Sequence, residues 1–145
     1  MTKTAFAVTL GAIWASIAIA SPVAVQIRAD HYGHSRSHEY RIADGSILIR
    51  EVNLQDGKEI SSYDAKLTGE AKANFEKAIS ELFRQTRSST NKASMVRDGT
   101  RYTVRLKSGN EEKIIVNYET HGALLSGLFR EMNKVIPSLW QLHNP

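Results

Sequence analysis

The fold is decided by residues 102–118, which read YTVRLKSGNEEKIIVNY. In the first part of this segment, apolar Tyr102, Val104 and Leu106 alternate with polar Thr103, Arg105 and Lys107. An alternation with a period of two is typical of a β-strand that buries one face. The Ser-Gly-Asn sequence at 108–110 predicts a turn, and the β-branched run at 113–118 predicts a second strand. The segment therefore predicts a half-buried antiparallel hairpin.

Helical spacing appears on both sides of this hairpin. Before it, Thr68 can cap a helix with Glu70 in its first turn. After it, a helix is predicted from Ala123 to Ile136, and Pro137 marks its end. The apolar residues of the two helices recur at intervals of three and four: Ala71, Phe75, Ala78, Ile79, Leu82 and Phe83 in the first, and Leu124, Leu125, Leu128, Phe129, Met132, Val135 and Ile136 in the second.

Three shorter strands are predicted ahead of the first helix. They cover residues 40–42, 47–54 and 58–63, and Asp-Gly pairs at 44–45 and 56–57 supply the turns between them. The predicted order is β-β-β-α-β-β-α, an α+β fold in which two amphipathic helices cover one face of a small antiparallel sheet. We expect a single domain over residues 40–145, with the segment around Trp140 folded back on its core.

The amino-acid composition indicates a globular protein and excludes several kinds of site. The chain has 145 residues, of which 41% are hydrophobic and 23% charged, as in ordinary globular domains. It contains no cysteine, which excludes disulfides, a thiol nucleophile and a thiolate metal site. No phosphate-binding loop, dinucleotide glycine pattern, Gly-x-Ser-x-Gly or His-Glu-x-x-His sequence is present, so we expect no cofactor.

The N-terminus is typical of an export signal. Lys3 precedes an uncharged stretch from Ala5 to Ala20 that ends in Ala-Ile-Ala. We expect a signal peptide over residues 1–20, cleavage after Ala20, and a secreted or periplasmic mature protein. The alternative is an uncleaved signal anchor that tethers the protein to the membrane, because uncharged sequence continues to Ile27.

Residues 21–39 are interpreted as a flexible polar arm. The arm contains His31, His34 and His38, which together with Asp30 or Glu39 could hold a divalent metal ion. The alternative is a solvated linker that happens to contain histidine.

A family resemblance follows from the order of these patterns. The Tyr-x-Val-x-Leu strand at 102–106, Gly109, the Ile-x-Val-x-Tyr-Glu strand at 114–119 and the helical leucines from Leu124 resemble the emfourin family of small proteinaceous metalloprotease inhibitors. The likeness spans residues 47–136. It implies an α+β fold and inhibition of a protease, but it assigns no inhibitory residue. The glycine-rich turn of the family's first hairpin is represented here only by the two Asp-Gly pairs.

The sequence contains one candidate catalytic arrangement, centred on His121. His121 lies where the last strand meets the last helix, and with Arg105 and Glu119 it could serve a secreted ribonuclease by general acid and base catalysis. The alternative is that Thr120 caps the helix and His121 is an exposed turn residue.

Charge supplies the main functional hypothesis. Between residues 84 and 107 the only acidic residue is Asp98, and a basic surface around Arg97, Arg101, Arg105 and Lys107 is predicted. Such a surface attracts anionic partners. A protein or an anionic envelope polymer suits an exported chain, whereas the lack of interleaved aromatic residues disfavours nucleic acid. We therefore expect a non-enzymatic binding protein, with the nuclease and the metal-binding arm as alternatives. The basic residues of this stretch are Arg84, Arg87, Lys92, Arg97, Arg101, Arg105 and Lys107.

Overall fold

The computed structural model describes residues 22–87, 89–90, 100–118 and 122–142. Two short 3-10 turns, Tyr32–His34 and Ser138–Trp140, accompany the helices and strands. The elements in chain order are β1 (Val23–His31), β2 (Arg36–Ala43), β3 (Ser46–Asn53), β4 (Glu59–Lys66), α1 (Gly69–Gln85), β5 (Ser89–Thr90), β6 (Thr100–Ser108), β7 (Glu111–Tyr118) and α2 (Gly122–Val135).

All seven strands belong to one sheet, in the order β4-β3-β2-β1-β6-β7-β5. Strands β1 to β4 form a meander and β6 with β7 a hairpin, all antiparallel, while the short β5 runs parallel to β7. The two parts join where β6 pairs with β1. The predicted α+β class is confirmed, as are the five predicted strands and both helices.

The core lies between one face of the sheet and the two helices. Each strand turns alternate side chains toward it, so Ile27 stands in register with Tyr40 on β2 and with Val104 on β6, all of them almost fully buried. The segment after α2 closes over the same core, and the predicted burial of Trp140 is confirmed. The helices contribute Phe75, Ile79 and Leu82 from α1 and Leu125, Leu128, Phe129 and Met132 from α2.

The Asp-Gly turn at 44–45 and the helix N-cap at Thr68 lie where the sequence predicts them. Asp44 and Gly45 both have positive φ angles, 49° and 71°, between the paired residues Ala43 and Ser46. Two consecutive positive φ angles are the requirement of a type I′ turn, which Asp-Gly satisfies at low cost. Thr68 occupies the N-cap position of α1 with extended backbone, although its side chain makes no capping hydrogen bond.

The prediction of a flexible arm over residues 21–39 was wrong. Residues 23–31 form β1, the strand that joins the two parts of the sheet, and Ile27 and Ala29 have no exposed surface. Residues 36–39 begin β2, so the folded domain starts before the predicted boundary at Tyr40. The signal for β1 in the sequence is an alternation of apolar residues at 23, 25, 27 and 29, but the same residues also continue the uncharged stretch of the predicted export signal.

The predicted signal peptide at residues 1–20 lies outside the described residues. Within the described part of the chain, neither helix has the length and apolar character needed to cross a bilayer.

Candidate functional site

The face of the sheet that lies away from the helices carries three of the predicted basic residues, Arg101, Arg105 and Lys107. Gln26 on the joining strand β1 stands opposite Arg41 on β2 and Arg105 on β6, and Ala24 stands opposite Lys107. Residues in register project from the same face, because antiparallel partners share the pleat. All five of these residues are exposed, so this part of the sheet is open to solvent.

These residues form a shallow cleft of ≈ 410 Å³, which we call the basic cleft. Its middle follows β1, where Ala24 has only a methyl group, and longer cationic side chains stand on the strands at either side. Small residues between long ones create a depression in an otherwise flat sheet face. The cleft is lined by Ala24, Val25, Gln26, Arg41, Ile42, Ala43, Arg105, Lys107 and Glu112.

Three cations and one carboxylate give the basic cleft a net positive charge. Glu112 Oε1 accepts a hydrogen bond from Arg105 Nη1 at 3.3 Å, but both side chains are about half exposed. Exposed pairs of this kind contribute little, typically below about 1 kcal/mol. Among the described residues, neither Arg41 nor Lys107 forms an ion pair. An incoming anion would therefore meet two uncompensated cations and one that is weakly held.

Arg101 lies on the same face of the sheet but does not line the basic cleft. Its Nη2 donates a hydrogen bond of 2.7 Å to Asp30 Oδ2, and Arg28 Nε donates one of 2.7 Å to Oδ1 of the same carboxylate. Asp30 has 1% of its side chain exposed, and it lies beneath these two half-exposed arginines. The structure thus brings Arg105 and Lys107 together in the basic cleft, while Arg101 belongs to a separate cluster around Asp30. Arg97 lies outside the described residues.

The environment of Asp30 keeps it ionised. Burial would raise the pKa of this carboxyl group, but the hydrogen bonds from Arg28 and Arg101 outweigh that effect and hold the pKa below its ordinary value of 3.8. The carboxylate therefore carries its charge throughout the neutral range, and it neutralises much of the charge of Arg101.

A ladder of ion pairs continues from this cluster across the sheet. Glu39 on β2 lies between Arg28 Nη1, at 3.6 Å, and Arg50 Nη1, at 3.9 Å. Arg50 Nε in turn donates a 2.7 Å hydrogen bond to Glu59 at the start of β4. Because each cation has an anion on the neighbouring strand, this part of the open face has little net charge to offer a partner.

The three histidines of the predicted metal site gather elsewhere. They line a second cleft of ≈ 600 Å³, here called the histidine cleft, at the end of the helix-bearing face. Asp30 and Glu39, the carboxylates proposed as ligands, alternate with His31 and His38 along their strands and project from the opposite face, so that ligand set was wrong. Within the described ranges, no group of three histidine or carboxylate side chains could hold a metal ion. The histidine cleft is lined by His31, His34, Arg36, His38, Glu51, Thr100 and Leu139.

The remaining predicted residues are divided between these places. Arg105 lies in the basic cleft, whereas His121 and Glu119, its proposed catalytic partners, lie outside the described residues. Sequence reasoning missed Arg41, which supplies the third cation from the far side of β1. The signal for Arg41 was its polar position between the inward-facing Tyr40 and Ile42, but the identity of the neighbouring strand was needed to place it beside Arg105.

No protein-family model matches the chain, and its sequence matches no curated protein.

Proposed function

We propose that this chain is an exported, non-enzymatic binding protein that holds an acidic segment of another protein in the basic cleft. The observation that carries the proposal is the convergence of Arg41, Arg105 and Lys107 on one solvent-open depression in which Glu112 is the one carboxylate among the described lining residues. Charge complementarity of this kind steers an acidic partner toward the surface and fixes its orientation.

The spacing of the cations favours a polypeptide over a small anion. Arg41 and Arg105 flank Gln26 from opposite sides, so their Cα atoms are separated by two strand spacings, roughly 10 Å. Arg105 and Lys107 lie two residues apart on β6, roughly 7 Å along the strand. Acidic side chains at alternate positions of an extended segment project about 7 Å apart along one face, which allows each to meet a different cation.

The resemblance to emfourins gives this proposal a specific form, in which the partner is a metalloprotease. A protease inhibitor needs a rigid surface that survives contact with the enzyme, and a sheet face is more rigid than a loop. The basic cleft lies on paired strands over its whole length.

A peptide titration tests the proposal directly. The probe is a fluorescein-labelled peptide of alternating glutamate and threonine, compared with the same peptide carrying glutamine, and binding to the chain from Ser21 is followed by anisotropy. We expect the glutamate peptide to bind and the double variant Arg105→Glu, Lys107→Glu to lose at least about tenfold in affinity, since it replaces attraction by repulsion at two contacts.

The control is the double variant Lys77→Glu, Arg84→Glu, which makes the same change of net charge on exposed positions of α1. Equal losses in both double variants would overturn the basic cleft as the binding surface. For the protease form, titration of a neutral metalloprotease should show near-stoichiometric inhibition that the Arg105 and Lys107 variant loses. Inhibition that this variant retains would contradict it.

A further inference from the structure

The C-terminal segment closes one end of the core as a separate piece, which we call the clasp (residues 138–142). Hydrogen bonds to the sheet and to α2 hold it, one of them donated by Gln141 Nε2 to the Asn133 carbonyl oxygen at 3.0 Å. The hydroxyl of Tyr40 donates a 2.8 Å hydrogen bond to the carbonyl oxygen of Trp140. From α2, Asn133 Nδ2 donates to the Leu142 carbonyl oxygen at 2.7 Å, and Asn133 Oδ1 accepts from the Leu142 amide at 2.9 Å.

Imidazole rings lie directly under the clasp. The ring centroid of His38 is 5.5 Å from that of Trp140 and 5.0 Å from that of His31, both in edge-on arrangements. About four fifths of the His38 side chain is covered. The clasp therefore packs its largest side chain against a group that can acquire a charge near neutral pH.

The groups around His38 offer little compensation for that charge. The cluster holds the imidazoles of His31 on β1 and His34 on the 3-10 turn and the guanidinium of Arg36 on β2, while Tyr40 and Tyr102 supply phenols. The clasp itself has no ionisable side chain.

The one described carboxylate in this cluster is that of Glu51, 3.5 Å from His38 Nε2. It already accepts a 2.7 Å hydrogen bond from Arg36 Nη1. A protonated His38 would therefore share its counter-ion with a permanent cation and lie beside a second histidine.

We propose that the clasp is a pH-sensitive closure, which is released from the sheet when His38 takes up a proton. The proposal follows from the packing of an uncharged aromatic segment on the imidazole of His38, whose one counter-ion among the described residues, Glu51, is already paired with Arg36. Release admits water to the rings and separates the charged cluster from the apolar clasp. It exposes the aromatic wall formed by Tyr40 and Tyr102, and leaves the strands and α2 in place.

The protonation behaviour of His38 agrees with this coupling. Burial lowers the pKa of His38 below its ordinary value of 6.5, and the partial opposition of Glu51 does not cancel the effect. A group whose pKa is depressed when the clasp is closed binds protons more readily when the clasp is open. Acidification below 6.5 must therefore shift the population toward the open form.

Fluorescence of Trp140 tests the closure, because the chain has only one other tryptophan, Trp14. In the Trp14→Phe variant of the full chain, the pH is lowered from about 7.5 to about 5, the range in which histidine titrates. We expect the emission of Trp140 to move to longer wavelength with a midpoint below 6.5, while far-ultraviolet circular dichroism stays constant. Quenching without a wavelength shift would mean protonation without release and would overturn the proposal.

Three further variants in the same background locate the proton. His38→Gln should abolish the transition, and His34→Gln, which removes an exposed imidazole of the same cleft, should leave it unchanged. Should His38→Gln fail to fold, Glu51→Gln remains decisive. It removes the group that favours a charged His38 in the closed form, so the transition must move to higher pH. An unchanged midpoint in Glu51→Gln, or an unchanged transition in a folded His38→Gln, would refute the closure.

Discussion

At the scale of single residues, the carboxylate of Asp30 ties the first strand of the meander to the hairpin. It accepts hydrogen bonds of 2.7 Å from Arg28 on its own strand and from Arg101 on β6. The three side chains form a charge-assisted network whose anion is covered and whose cations remain partly in water. Such a network is costly to disrupt from the anionic side, because two arginines are then left facing each other.

We expect Asp30→Asn to lower the free energy of unfolding by about 1–3 kcal/mol, less than the value for a fully buried pair since both arginines are half exposed. Urea denaturation at neutral pH provides the measurement. Glu112→Gln, which alters an exposed pair on the same face, is the matched control and should change the free energy by under about 0.5 kcal/mol. Equal effects of the two variants would show that the Asp30 network contributes no more than a surface pair.

The same residue predicts a specific acid response. The pKa of Asp30 is lower in the folded chain than its ordinary value of 3.8, so its stabilising contribution is complete above 3.8. This contribution is lost as the pH falls from 3.8 through the folded pKa. The stability difference between the native chain and Asp30→Asn should therefore shrink below pH 4, as measured by urea midpoints. A difference that stays constant down to about pH 2 would contradict the lowered pKa.

At the scale of elements, β1 is the strand on which the sheet depends. Its inward side chains contact the core, while its outward positions carry Ala24 and Gln26 of the basic cleft and Asp30 of the ion network. A strand paired on both sides cannot be removed without exposing the edges of β2 and β6. Residues 23–31 are thus an integral part of the domain.

We expect Ile27→Ala to cost about 2–4 kcal/mol in unfolding free energy, since the side chain is fully buried and its removal leaves a cavity. Gln26→Ala, one position away on the open face, should change the stability by under about 0.5 kcal/mol. Thermal or urea denaturation of both variants gives the comparison. Equal and small effects would restore the interpretation of this segment as a loosely attached arm.

The turn between β2 and β3 gives a second prediction for an element. Gly45→Ala places a Cβ at φ +71°, where it would lie 3.1 Å from the flexible end of Lys72. Gly57, at φ +70°, has open space around the same position and is the matched control. Since Lys72 can move aside, we expect similar losses of about 1 kcal/mol from the backbone conformation alone, measured by urea denaturation. A much larger loss at Gly45 would mean that Lys72 is held in place.

At the scale of the whole molecule, charge is distributed unevenly over one sheet face. The ladder from Glu59 to Arg101 is internally neutralised, and the excess cations remain at the basic cleft. The formal net charge of +4 is therefore a poor guide to the binding surface, because most of the open-face cations already have partners. The basic cleft and the histidine cleft lie on opposite faces, which allows the proposed binding and the proposed closure to be measured separately.

This distribution predicts that salt affects peptide binding more strongly than it affects the stability contribution of Asp30. Raising the salt concentration from about 0.02 M to about 0.5 M should weaken binding of the glutamate peptide strongly, because the Debye length falls well below 10 Å. The stability contribution of Asp30 should change much less, since that carboxylate is covered. Anisotropy titrations and urea denaturation at the two salt concentrations provide the comparison, and peptide affinity that is independent of salt would contradict electrostatic docking.

The sequence by itself determined the local elements of this protein. Hydrophobic periodicity and backbone preference predict the hairpin at 102–118, both helices and the Asp44-Gly45 turn. These preferences act over a few residues and are kept in the folded chain. The alternation of apolar and polar residues in β1 is an equally local signal. It adjoins an uncharged stretch, so the same residues also fit the continuation of an export signal.

Only the tertiary structure decided which strands became neighbours. Arg41 and Arg105 meet because β1 lies between β2 and β6, and Asp30 reaches Arg101 for the same reason. The histidines were adjacent in sequence, yet strand alternation separated them from the carboxylates proposed to join them in a metal site. Periodicity tells which face a residue occupies on its own strand, whereas pairing between distant segments, driven by burial of the shared core, determines which residues form a site.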